Sequence, residues 1–199
     1  MTYGSFSPEE IRGRAARVRL SLVVLGVAMA LPWVLLYSER RTRMDNYTTA
    51  VLATVVVSIW AFVLWVRWFH AVHDVVVARG KARLRRRWWL WAWLLPGPNI
   101  VVPKLMVDDV CRAGDAPNSD RPVPAVVNWW WACWVVLSLA SWILRRDYDL
   151  GSVAWVAFPV LVLAALGWLA LTFPLVGLLT ERAIALRVDH SADAEPGLA

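Results

Sequence analysis

Four apolar stretches interrupt an otherwise polar and basic chain, at residues 20–37, 47–66, 126–144 and 152–175. Each is long enough for a helix, rising about 1.5 Å per residue, to cross the roughly 30 Å hydrocarbon layer of a bilayer. None of the four contains Asp, Glu, Lys, Arg or His. The last apolar run continues to Leu179, too long for a perpendicular span. It is expected to tilt, to kink at Pro159 or Pro174, or to project into water. A fifth stretch, 88–102, is shorter and carries Pro96-Gly97-Pro98-Asn99 in its middle. Two prolines remove backbone donors and block a continuous helix. Inside a bilayer such a break survives only where protein or water covers the freed carbonyls. The pattern predicts an all-α fold, a polytopic membrane helical bundle of four spanning helices plus one re-entrant or interfacial broken hairpin at 88–103.

The remaining segments follow from this frame. Residues 1–19 form a cytoplasmic N-terminal segment, and 20–187 a single membrane-embedded domain. Residues 103–113 read as a short amphipathic cytoplasmic helix. Residues 114–124, rich in Gly, Pro, Asp and Asn, read as loop. The polar tail 188–199 is expected to be disordered. No internal repeat is evident.

Charge sets the orientation. With both termini in the cytoplasm, the only basic residues outside are Arg40, Arg41, Arg43, Arg145 and Arg146. All the rest of the 21 Lys and Arg lie inside, as the positive-inside rule requires. A crossing at 88–102 would carry Lys104, Arg112 and Arg121 outside and erase most of that bias. The expected location is therefore the plasma membrane, multi-pass, with N- and C-termini cytoplasmic.

Composition sharpens the same picture. Apolar residues make up 59% of the 199, and mean hydropathy is +0.51. The 15 Trp suit a membrane interface, where an amphipathic ring meets both lipid and water. The net charge of +6 flanks apolar runs, so it orients the chain and gives no reason to invoke nucleic acid. Ala28-Met29-Ala30 has the small-x-small form of a signal-peptide cleavage site. The apolar run continues past it, so an uncleaved anchor is expected. Cys111 falls in a polar segment and Cys133 in an apolar run, so free thiols are expected.

The central segment reads Trp93-Leu94-Leu95-Pro96-Gly97-Pro98-Asn99-Ile100-Val101-Val102-Pro103-Lys104, followed by Val107-Asp108-Asp109-Val110. It resembles an uncharacterised membrane family, domain of unknown function 4328, over roughly residues 66–182. His70-Ala71 with Asp74, the run Trp129-Trp130-Trp131-Ala132, and Thr180-Glu181-Arg182 add weaker matches in the same order. His70 and Asp74 depart from the family's usual residue types, and Gly114 stands where Ser is common. The resemblance implies a bacterial multi-pass membrane protein. It implies no activity, and gives Trp93, Pro96, Asn99, Pro103, Asp108 and Asp109 no role beyond membership of the motif.

Three groups of residues bear on chemistry. Arg83, Arg85, Arg86 and Arg87 precede Trp88, Trp89, Trp91 and Trp93. They read as an interfacial anchor able to meet anionic lipid headgroups. Pro96 to Asn99 could line a cavity, because half-helix ends expose oriented backbone dipoles. The plainer reading is a structural hairpin. His70, His73 and Asp74 share a helical face by their i, i+3 and i, i+4 spacing. They are the candidates for a metal site, although the spacing fits no familiar metalloenzyme signature. The plainer reading there is a solvated face, with Asp108 pairing to Arg112. No catalytic residue and no cofactor is called for.

The leading expectation is thus a membrane-embedded interaction or accessory protein presenting residues 67–124 to the cytoplasm, with the bilayer and a membrane or cytoplasmic protein as partners. The alternative is a transporter or channel for a neutral or small solute at Pro96 to Asn99. Third comes a membrane-surface enzyme using His70, His73, Asp74, Asp108 or Asp109.

Overall fold

The computed structural model describes residues 6–38, 43–79, 98–113, 122–146 and 154–193. Among them are five helices and no strand: α1 Pro8–Ser38, α2 Arg43–Ala78, α3 Pro98–Ala113, α4 Ala125–Arg146 and α5 Ala154–Asp193. The anchor residues Arg83, Arg85, Arg86, Arg87, Trp88, Trp89, Trp91 and Trp93 lie outside the described residues, as do Pro96, Gly97 and most of the loop 114–124.

Helix α1 opens on a sequence built to start a helix. Ser7 Oγ accepts from the Glu10 amide at 3.1 Å, Pro8 takes the first helical position, and Glu9 and Glu10 fill the first turn. Ile11, Ala15, Val18 and Leu22 then form a buried stripe at the 4-3-4 spacing of one helical face. Helix α5 runs for 40 residues, about 60 Å at about 1.5 Å per residue. Neither Pro159 nor Pro174 ends it. It continues to Asp193, inside the segment expected to be a disordered tail. No Gly or Pro stands between Gly177 and Pro196 to stop it earlier.

Two stretches are long and apolar enough to cross a membrane, Leu52–Ala78 and Val160–Val188, and Ala125–Ala140 is a shorter apolar helix. Among the described residues, two of the four expected spans thus pass this test, the second and the last. The first expected span lies in α1 and the third in α4, and parts of both fall beyond the described side chains. The two long stretches also end later than expected. Past Arg67, the residues Trp68, Phe69, Val72, Val75 and Val76 are buried, and past Pro174 so are Leu175, Val176, Leu179, Ala183 and Leu186. Protein, and not a change to polar sequence, carries the apolar pattern beyond the expected boundary.

The described chain divides into two compact units. Phe6–Ala71 holds α1 and most of α2; the other, from Val72, holds the end of α2 and helices α3 to α5. In the first, α1 and α2 run antiparallel. Thr54 Oγ1 donates to the Ala28 carbonyl at 2.8 Å, and Arg14 Nη1 to the Arg67 carbonyl at 3.2 Å. In the second, α4 and α5 pack along their length. A Cβ placed on Gly167 would meet Cys133 Sγ at 3.2 Å, so glycine is what allows that approach.

The outward faces are apolar. Leu52, Val56 and Ile59 are 61%, 66% and 60% exposed, and Leu163 is 69% exposed, with Leu20, Val23, Val27, Val136 and Leu139 also outward. The interior is where polar groups go: Ser21, His73, Asp74, Asp108, Asp109, Thr172 and Thr180 are all buried. Water would penalise such a surface, whereas lipid accepts it.

Candidate functional site

Helix α3 carries the central motif, and it breaks a rule of helix construction. Pro103 sits inside it. A proline there has no N–H to give to the Asn99 carbonyl one turn back, and its ring crowds that carbonyl. The segment was expected to be broken from 96 to 99, with a separate helix from 103. Instead, one helix begins at Pro98, a residue pre-set for the first helical position, and runs through Pro103 to Ala113.

Helix α4 makes this possible. Trp134 Nε1 donates to the Asn99 carbonyl at 3.1 Å, and Trp131 Nε1 to the Ile100 carbonyl at 2.7 Å. The two indoles are i, i+3 on α4 and face one neighbour. Trp134 supplies from another helix the donor that proline removed, which an apolar environment demands, and Trp131 adds a second bond one residue further on. A third indole, on fully buried Trp130, donates to Thr172 Oγ1 at 3.1 Å, and that hydroxyl donates to the Trp168 carbonyl at 2.6 Å. The Trp168 ring lies 5.6 Å from Trp134 and 6.4 Å from Trp130.

Charged groups follow further along α3. Lys104 Nζ sits 2.8 Å from Asp108 Oδ2 and 5.9 Å from the centre of the Trp131 ring. The Asp108 side chain is 9% exposed and that of Lys104 24%. Asp108 thus pairs one turn backward with Lys104, where Arg112 had been expected, and Arg112 is exposed. At the end of α3, the Arg182 guanidinium donates to the Cys111 carbonyl, closing an open helix C-terminus with a cation. Arg79, just past α2, donates likewise to the Leu186 carbonyl.

These bonds fix how α3 lies in its unit. Its N-terminus is level with Trp134 and Trp168, mid-way along α4 and α5, and its C-terminus is level with Arg182. It is antiparallel to α4 and parallel to α5. Arg79 and the end of α3 both stand at the Arg182–Leu186 end of α5.

The other sequence candidates separate. His73 and Asp74 are 3% and 8% exposed and His70 is half-buried, so this turn is no solvated face. His73, Asp74 and Asp109 are each engaged by other groups. Among the described residues, no three His, Cys, Asp or Glu stand together in a way that could hold a metal ion. Asp109 is 3% exposed, so neither Asp of the motif offers a surface to a partner. Cys111 and Cys133 are both free thiols. Of the residues that hold the motif together, Trp131 and Arg182 stand in the sequence reading only within matching stretches, and Trp134 does not stand in it at all. The available signal was that an apolar helix with an internal proline needs outside donors, and Trp is an apolar side chain that carries one.

The arrangement defines a class: among the described residues, an all-helical protein with long apolar helices and a helix with an internal proline docked among them. Residues 40–184 match the family described as Domain of unknown function (DUF4328), and the chain belongs to it. The match begins earlier than the motif and takes in α2 to α5. No curated protein and no solved structure matches the chain.

Proposed function

We propose that this is a multi-pass membrane protein of four spans, with both ends in the cytoplasm. It acts as a membrane-embedded interaction or accessory protein. Helix α3 is the inner limb of a re-entrant hairpin. The observation that carries this reading is the position of the hairpin's flanks. Arg79 and the end of α3 stand at one end of α5, while the N-terminus of α3 stands at mid-height. A chain that enters and leaves on one side in this way does not cross, in agreement with the positive-inside bias. The Asn99 carbonyl opened by Pro103 is occupied by the Trp134 indole, which favours a sealed structural hairpin over a lined path. What remains outward at the water end, including Arg112 and Glu181, is the surface offered to a partner.

Thiol accessibility in intact cells tests the topology. Single cysteines replace Arg43, Ser119, Asp147 and Ser191 in a background lacking Cys111 and Cys133. Labelling by an impermeant reagent at 43 and 147 alone is expected. Labelling at 43, 119 and 191 but not 147 would mean that the hairpin crosses, and the reading would fall.

One observation favours a second reading. Asn99 Oδ1 is buried with no hydrogen-bond partner, an open acceptor at the mid-height end of α3. A path for a neutral solute would use it. Equal solute flux through liposomes carrying wild type or Asn99→Ala would remove that reading. An enzyme working through His73, Asp74, Asp108 or Asp109 has less support, because burial keeps a surface substrate from all four.

A further inference from the structure

We propose that Arg17 and Arg19, with Arg67, hold the phosphate groups of anionic phospholipids, in the leaflet that meets the start of α1. The proposal rests on the reading of the chain as a membrane protein and lies wholly within the Phe6–Ala71 unit.

The outward face of α1 changes character at one step. Arg12, Arg17 and Arg19 are exposed, and from Leu20 the exposed residues are Leu20, Val23, Val24 and Val27. Helix α2 changes at the matching height. The two hydrogen bonds that join the helices, Arg14 to the Arg67 carbonyl and Thr54 to the Ala28 carbonyl, are nearly equally spaced along both. They place Phe62 and Val63, 41% and 46% exposed, beside Arg19 and Leu20, and the exposed Arg67 beside Arg14. On α1 the change falls between Arg19 and Leu20, and on α2 the exposed Arg67 stands about one turn further to the basic side, so apolar surface gives way to basic within one thin layer. Lipid phosphates occupy that layer.

The arginines are also placed to be shared with lipid. The stripe Ile11, Ala15, Val18 and Leu22 takes the inward face of α1. Arg17 and Arg19 flank what is left on either side, about 160° apart at about 100° per residue. Arg14 is committed elsewhere, with Glu10 at 2.8 Å and the Phe6 ring at 4.1 Å. The carboxylates of α1 in this unit, Glu9 and Glu10, stand in its first turn, at the end away from the apolar face. Between that turn and Leu20, α1 carries no acidic residue. All three residues are Arg and none is Lys, which suits a phosphate held by a planar, two-pronged donor.

The test uses the full chain reconstituted in nanodiscs of phosphatidylcholine with phosphatidylglycerol. Enrichment of each lipid beside the protein is read with spin-labelled analogues. Wild type is expected to favour phosphatidylglycerol, and raising the salt should weaken the preference, because each basic residue near a charged surface contributes several-fold. Arg17→Gln with Arg19→Gln should lower it about tenfold, Lys at both positions should restore part of it, and Arg112→Gln should leave it intact. An unchanged preference in the double Gln variant, an equal loss in Arg112→Gln, or indifference to salt in wild type would each overturn the proposal. So would equally tight, Arg17- and Arg19-dependent binding of a polyglutamate peptide, which would make the occupant a protein. Failure of wild type to enter discs at all would instead count against the membrane reading itself.

Discussion

Each unit carries a group of aromatic rings, and the two groups are used differently. In the first, Trp65, Trp68 and Phe69 sit on successive turns of one helix and meet ring against ring, with centroids 5.0 to 6.1 Å apart. In the second, Trp130, Trp131 and Trp134 reach across helices and spend their N–H groups on Thr172, Ile100 and Asn99. The first group is local in sequence and works through area and ring geometry. The second spans more than thirty residues of chain and works through directed hydrogen bonds. The difference follows from the backbone beside each. At Pro103 a carbonyl lies open, and only an outside donor can meet it.

Four substitutions press on that contrast, and thermal unfolding in detergent reads them all. The largest effect is expected from Trp130→Ala, which empties a fully buried site and removes the bond to Thr172, costing about 3 kcal/mol. A cost below about 1 kcal/mol would mean that the indole is dispensable. Next, Lys104→Met leaves the Asp108 carboxylate buried without its cation, and should cost about 2 kcal/mol. Adding Asp108→Leu should recover most of that loss, and failure to do so would show that Asp108 has a more important partner. Third, Trp134→Phe should cost about 1 kcal/mol, the net worth of one hydrogen bond to an otherwise open carbonyl. In a Pro103→Ala background, where the helix supplies its own N–H to Asn99, the cost should nearly vanish. A double-mutant cycle with no coupling would break the account of the indole as proline's substitute. The smallest effect is expected from Gly167→Ala. The new methyl meets Cys133 Sγ, at a cost just under about 1 kcal/mol that Cys133→Ala should relieve.

The parts legible in sequence were those set by local pattern. The helical class follows from the apolar runs, and the family from the motif at Pro96 to Asp109. The site was legible only as a demand. Proline in an apolar helix requires a donor, but the sequence does not say that the donors come from Trp131 and Trp134, because that depends on how α3 and α4 lie. The same limit hid the partner of Asp108. Lys104 and Arg112 are equally spaced from it along the helix, and packing against Trp131 separates them. Burial of both Asp108 and Asp109 was out of reach for a related reason. Neighbouring residues on a helix point about 100° apart, so both are covered only when protein surrounds more than one face.

The tryptophan bonds also impose an order on the making of the protein. Synthesis delivers α3 before α4, so the carbonyls of Asn99 and Ile100 emerge before Trp131 and Trp134 exist to meet them. On the proposed re-entrant reading, α3 settles at mid-depth only once α4 stands beside it, and until then water answers the open Asn99 oxygen. Insertion of such a hairpin is then a two-act process, in which a later segment draws an earlier one down into the bilayer.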